Sequence, residues 1–141
     1  QDKIVEFNVN PESLCFEVTE TVAVKNIQSA TEFINECKKI GVKFALDDFG
    51  SGSSSFSYLK NLPVDYLKID GSFIKNLETS EVDKEMVGAI NRIGHLMGKI
   101  VVAEFAENEA IIAILNEIGV DFAQGYGVCF PLPLFPNDKK S

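Results

Sequence analysis

Five short apolar runs recur along this chain, each with one polar residue near its C-terminal end, and amphipathic segments separate them. The runs are Leu14 to Thr19, Lys43 to Asp48, Tyr66 to Asp70, Ile100 to Phe105 and Asp121 to Tyr126. Their polar residues are Glu17, Asp47, Lys68, Glu104 and Gln124. Runs of strand length alternating with helical segments predict repeated parallel strand–helix units. Side chains on a strand alternate with period two, so if Leu14, Phe16 and Val18 face outer helices, Cys15 and Glu17 face the other way. The same rule pairs Ala45 with Asp47, Tyr66 with Lys68, Val102 with Glu104, and Phe122 with Gln124 on that inner face. Charges buried one by one in an apolar core are costly, whereas clustered they satisfy one another and a cation. Parallel α/β folds place their sites at the C-terminal ends of strands, so these residues predict one convergent site.

The helices are predicted at about Thr31 to Ile40, Phe56 to Leu59, Glu81 to Met97 and Glu109 to Ile118. Ser29 with Glu32, and Ser80 with Asp83, stand at capping-box spacing, and Gly41 and Gly119 supply stops. Val82, Met86, Ile90 and Ile93 form the apolar stripe expected to face the core. Pro131 and Pro133 end regular structure. An open doubly wound sheet and a stretch of a (β/α) barrel both fit this order.

A length of 141 residues suits one domain with one core, and 45% hydrophobic against 24% charged residues is a globular balance. Runs such as Ile111 to Leu115 are far shorter than the roughly 20 residues that cross a bilayer, and no signal-peptide pattern opens the chain. The start at Gln1 reads as that of a piece of something longer. A formal charge of −8 argues against duplex nucleic acid as a partner, since that binding rests on Lys and Arg against phosphate. Cys15, Cys37 and Cys129 form no C-x-x-C pair and read as small reduced core residues.

Asp47-Asp48 is a vicinal carboxylate pair at a strand end, followed by the Gly50-Ser51-Gly52 turn. Glu17 with Glu20, and Glu104 with Glu107, add two further pairs, and carboxylate oxygens suit hard Mg²⁺ or Mn²⁺. Lys68 lies between apolar Leu67 and Ile69, where an ordinary strand would carry another apolar residue. A lysine snorkelling from the sheet edge is one reading; a cation that orients a water and stabilises phosphoryl charge is the other. No G-x-G-x-x-G or Walker pattern is present.

Phe16-Glu17-Val18-Thr19-Glu20, Ala45-Leu46-Asp47-Asp48-Phe49-Gly50, Leu62 to Asp70, Ala103-Glu104-Phe105-Ala106-Glu107 and Gln124-Gly125-Tyr126 together resemble the EAL family, from about residue 10 to Leu134. The resemblance implies the C-terminal five strand–helix units of a modified TIM (β/α)8 barrel, a partial EAL domain over residues 1–141. It implies a bacterial enzyme that hydrolyses cyclic di-GMP to linear pGpG with two Mg²⁺ or Mn²⁺ ions. On this likeness Glu17, Asp47 and Asp48 are metal ligands, Asp47 bridging, and Lys68 holds the attacking water. Glu104 assists deprotonation, Gln124 supports the site, Glu20 braces the loop after Asp48, and Glu107 lies on the guanine side. The family's usual Glu-Gly-Val-Glu here reads Glu104-Phe105-Ala106-Glu107. The name-giving Glu-Ala-Leu strand and the asparagine strand fall upstream of this chain, so the 141 residues alone are expected to be inactive. A dimer, a cytoplasmic setting and upstream sensory or diguanylate cyclase-type domains are expected of the complete protein. The rival is an inactive EAL-type cyclic di-GMP receptor or a protein-interaction scaffold.

Overall fold

The computed structural model describes residues 2–52 and 56–133; Gln1, Ser53 and Leu134 lie outside them. Five strands form one parallel sheet in chain order: β1 (Cys15–Thr19), β2 (Lys43–Phe49), β3 (Tyr66–Ile69), β4 (Ile100–Ala103) and β5 (Phe122–Ala123). A doubly wound sheet reverses its strand order at a switch point, whereas consecutive barrel strands lie side by side as these do. The sheet is not closed, and β1 and β5 form its edges among the described residues. Its helices are α1 (Asp2–Glu6), α2 (Glu20–Lys25), α3 (Ile27–Lys38), α4 (Gly71–Ile74), α5 (Glu81–Leu96) and α6 (Glu109–Ile118). Single 3-10 turns lie at Pro11–Ser13 and Phe56–Lys60. No helix among the described residues is long and apolar enough to cross a membrane.

The predicted alternation sets the two faces of the sheet. Phe44, Leu46, Leu67, Ile69, Val101 and Ala103 are buried in one cluster with Ile34, Val87, Ile90, Ile111 and Leu115 from the helices. Asp47, Lys68 and Glu104 stand on the opposite face, at the C-terminal ends of their strands. Phe16, on the edge strand, is 48% exposed yet packs its ring 5.7 Å from that of Phe44.

Several local expectations are corrected by geometry. The N-cap of α3 is Asn26, whose side chain accepts from the Ser29 backbone N–H, so the helix starts ahead of the Ser29/Glu32 box. Glu32 instead accepts from Gln28 one turn back. On α5, Ser80 caps as predicted by accepting from the Asp83 N–H, but the buried face is Val87, Ile90, Asn91 and Gly94, while Val82 is 72% exposed. Of the predicted stripe, Ile90 lies in the core and Ile93 packs against it, while Val82 and Met86 do not. Gly94 has no side chain to score, yet a Cβ there would lie 2.6 Å from Val101. The helix turns this glycine to the sheet and approaches closely. Asn91 follows on the same face and donates to the carbonyls of Ile118 and Gly119 at the end of α6. Of the cysteines only Cys37 packs against the core; Cys15 and Cys129 are exposed.

Two aspartates tie the N-terminal rim of the sheet. Asp65 precedes β3 and accepts from Lys38 Nζ at 2.6 Å and from the Phe44 N–H of β2 at 2.9 Å. Asp121 precedes β5 and accepts from the Val101 N–H of β4 at 2.7 Å and faces His95 Nε2 at 2.8 Å. Burial pushes the Asp65 carboxyl up, but Lys38 and the Phe44 amide outweigh it and hold the group below its ordinary value. A carboxyl held low stabilises the fold above its unfolded pKa, about 4, and that stability is lost as pH falls through the folded value. Asp65→Ala should therefore cost about 1–3 kcal/mol at pH 7, seen as an earlier thermal midpoint, and the difference should shrink as the pH is lowered below about 4.

Candidate active site

The centre of the site is Lys68, whose side chain is 7% exposed and is surrounded by carboxylates. Its Nζ lies 2.8 Å from Asp47 Oδ1, 2.8 Å from Glu104 Oε1 and 2.9 Å from Glu17 Oε1. Strands β1, β2, β3 and the end of β4 thus each send one charge to a single point. Burial alone would lower the Lys68 ammonium, but the three carboxylates outweigh it and raise its pKa, so it stays charged. The snorkelling reading is set aside, because a snorkelling lysine keeps its charged end in water.

Strict alternation would send Asp48 to the helix-facing side, away from Asp47. Instead Asp48 adopts a left-handed φ of 56°, and the register of β2 against β3 shifts between Leu46 and Phe49. This bulge returns Phe49 to the core, where it is fully buried, and leaves Asp48 beside its neighbour. Asp47, Asp48 and Glu104 can then offer oxygens that all lie within 4.8 Å of one another. Burial, then the charges of Asp47 and Asp70, push the Asp48 carboxyl up against the pull of Lys68. Burial likewise pushes Glu104 up, with Lys68 opposing and Asp47 and Asp48 adding to the rise.

The loop after Asp48 is held by Glu20, at the start of α2 and 2% exposed. One of its oxygens accepts from the Gly50 N–H at 2.9 Å and the other from the Tyr58 hydroxyl at 2.8 Å. The brace expected of Glu20 has this form. Its partner Tyr58 gave no signal in sequence, because the short helical stretch predicted at Phe56 to Leu59, a 3-10 turn in the structure, has too few residues to show which face points at the site.

Gln124 lies past the end of β5, which is shorter than predicted. Gly125 and Gly127 carry the chain so close to Ala106 and Asn108 that a Cβ on either would meet their backbone at 2.4–2.5 Å. The strand ladder ends there. Gln124 and Glu107 are exposed and line a pocket with Glu104, Phe105, Gly125 and Tyr126, which meets the Lys68 cluster through Glu104. The groups expected from sequence therefore separate into a tight centre of Glu17, Asp47, Asp48, Lys68 and Glu104, a buried brace at Glu20, and an outer wall with Glu107 and Gln124.

The EAL domain family matches residues 1–131. A cyclic di-GMP phosphodiesterase, PdeB of Shewanella oneidensis, is 47% identical over 128 residues, covering 91% of this chain and 15% of that protein. The solved EAL domain of Mycobacterium smegmatis DcpA superposes with a TM-score of 0.85 at 37% identity, over 92% of this chain and 58% of that one. Klebsiella pneumoniae BlrP1, solved as a manganese and cyclic di-GMP complex, gives a TM-score of 0.82 at 27% identity, over 89% of this chain and 32% of that one. The chain spans about a sixth of the curated relative and between a third and three fifths of these solved chains. With a match over 131 of its residues and TIM-barrel-like EAL domains as its structural neighbours, this chain belongs to the EAL domain family.

Proposed function

We propose that this chain carries the catalytic centre of a cyclic di-GMP phosphodiesterase that yields linear pGpG. The observation that carries the proposal is the buried Lys68 in contact with Glu17, Asp47 and Glu104, next to three carboxylates able to converge on one ion. An all-oxygen anionic donor set fits a hard divalent cation such as Mg²⁺ or Mn²⁺. Asp47 Oδ1 is buried and meets Lys68 without a well-angled hydrogen bond, which leaves its lone pairs open to a ligand. Asp47 and Asp48 would hold the cation with Glu104 beside it, and Glu17, 2.9 Å from Lys68 Nζ, is the further ligand that the family likeness implies. When bound, divalent ions of this kind activate water and offset phosphoryl charge.

The chain's own residues do the rest. Lys68 holds the nucleophilic water in line with one phosphodiester and stabilises charge on the phosphoryl oxygens. Glu104 takes the water's proton, Glu20 keeps the Asp48 loop in place through Gly50 and Tyr58, and Glu107 and Gln124 contact the nucleotide side. The manganese and cyclic di-GMP complex of the Klebsiella relative supports the choice of ion and substrate. Relatives several times longer than this chain support companion sensory or cyclase-type domains. A dimer and a cytoplasmic setting belong to the same proposal.

A nucleotide panel tests the assignment. The full-length protein with Mg²⁺ or Mn²⁺ should convert cyclic di-GMP to pGpG and leave cyclic AMP and cyclic GMP intact. Hydrolysis of the mononucleotides at a comparable kcat/KM would overturn it.

A further inference from the structure

Phe105 is the one residue of the Glu104-to-Glu107 turn in an unfavourable backbone conformation, with a left-handed φ of 54°. A glycine takes that conformation freely, but a bulky side chain takes it only when its surroundings hold it there. The surroundings are visible. The ring lies across Gly71, the first residue of α4, so closely that a Cβ at Gly71 would stand 2.2 Å from Cδ2 and 2.7 Å from Cγ of Phe105. Lys75, one turn further along, places its Nζ 4.4 Å from the ring centroid. The opposite side of the turn is fixed by backbone alone: the Ala106 N–H donates to Gln124 O at 3.0 Å, and the Gly127 N–H donates to Ala106 O at 2.8 Å.

We propose that Phe105 is a positioning residue, whose ring in the Gly71 notch under Lys75 fixes the turn and with it the carboxylate of Glu104. This rests on the phosphodiesterase reading for its catalytic part. Glu104 is the residue immediately before Phe105, and its Oε1 is 2.8 Å from Lys68. A turn freed from the ring would let that carboxylate leave both Lys68 and the Asp47–Asp48 pair. Here a ring with a matching glycine on the next element sets a conformation that a glycine in the turn would reach unaided. Gly71 and Phe105 should therefore behave as one unit.

The test compares Gly71→Ala, Phe105→Ala, the double variant and Phe105→Tyr in the full-length protein, by thermal midpoint, by Mn²⁺ affinity from electron paramagnetic resonance, and by steady-state kinetics on cyclic di-GMP. Gly71→Ala should lower the midpoint in the parent and not in the Phe105→Ala background, because the clash needs the ring. Either single variant should weaken Mn²⁺ binding by about tenfold. Both should lower kcat by about tenfold or more with KM nearly unchanged, and Phe105→Tyr should behave as the parent. Additive effects of the two single variants on midpoint and Mn²⁺ affinity would overturn the proposal. So would a Phe105→Ala protein altered in KM alone, since the ring would then be a substrate contact. If the parent turns over no cyclic di-GMP, the phosphodiesterase reading fails separately, and the midpoint and Mn²⁺ comparison still decides the coupling.

Discussion

Asp47→Asn should reduce kcat on cyclic di-GMP by about a thousandfold or more while leaving the thermal midpoint nearly unchanged. A bound divalent ion contributes several kcal/mol of charge stabilisation at the reacting phosphoryl group, and each ~1.4 kcal/mol is tenfold in rate. Asp47 stands where that ion's ligands meet, within reach of both Asp48 and Glu104. The amide keeps the volume of the carboxylate and removes one negative charge from a crowded anionic cluster. Lys68 still has Glu17 and Glu104 at 2.9 and 2.8 Å, so its buried charge is not abandoned. Rate and stability should therefore separate. A variant with near-normal turnover at saturating Mg²⁺ would remove Asp47 from the metal site.

Lys68→Met should lower kcat by about a hundredfold or more, the usual cost of deleting one electrostatic group at a reacting centre. The methionine keeps most of the stem among Leu67, Ile69 and the sheet, so packing is largely retained. This variant also tests the charge balance of the site. Without the ammonium, Glu17, Asp47 and Glu104 face one another uncompensated, and the metal-free protein should melt earlier at pH 7. Glu104 and Asp48 are already pushed above their ordinary range by burial and by neighbouring carboxylates. A carboxyl held high favours the folded state when protonated, so its contribution is present below the unfolded pKa and lost as pH rises through the folded value. The metal-free Lys68→Met protein should thus gain stability relative to the parent as pH falls from 7 to 5. Added Mg²⁺ or Mn²⁺ should restore part of the lost midpoint at pH 7. An effect confined to KM would show that Lys68 holds substrate and does not act on the water.

The strands and their inner-face charges were legible because period-two alternation is a local rule, and it placed Glu17, Lys68 and Glu104 on one face. It could not place Asp48. The bulge that turns Asp48 toward Asp47 needs a left-handed residue and a register shift against β3, and neither is written in the hydrophobic pattern. The buried face of α5 was read only in part, Ile90 and Ile93 but not its other members, for a related reason, since Gly94 and Asn91 are chosen by what lies opposite them, Val101 and the end of α6. Helix α2 escaped notice because it begins at Glu20, directly after β1, in six residues too few to show a helical period. The Phe105 ring and its Gly71 notch are 34 residues apart in sequence and meet only when β3 and β4 lie side by side.

The central claim is that these carboxylates and Lys68 form a metal-dependent phosphodiesterase centre, and one measurement meets it most directly. Full-length protein stripped with a chelator is supplied with cyclic di-GMP, and pGpG is followed before and after Mn²⁺ or Mg²⁺ is returned. The account predicts no product from the stripped protein, turnover on metal addition, and none from Asp47→Asn under the same conditions. Cyclic di-GMP bound and recovered intact at saturating Mg²⁺ and Mn²⁺, or pGpG formed at an equal rate with the chelator present, would contradict it.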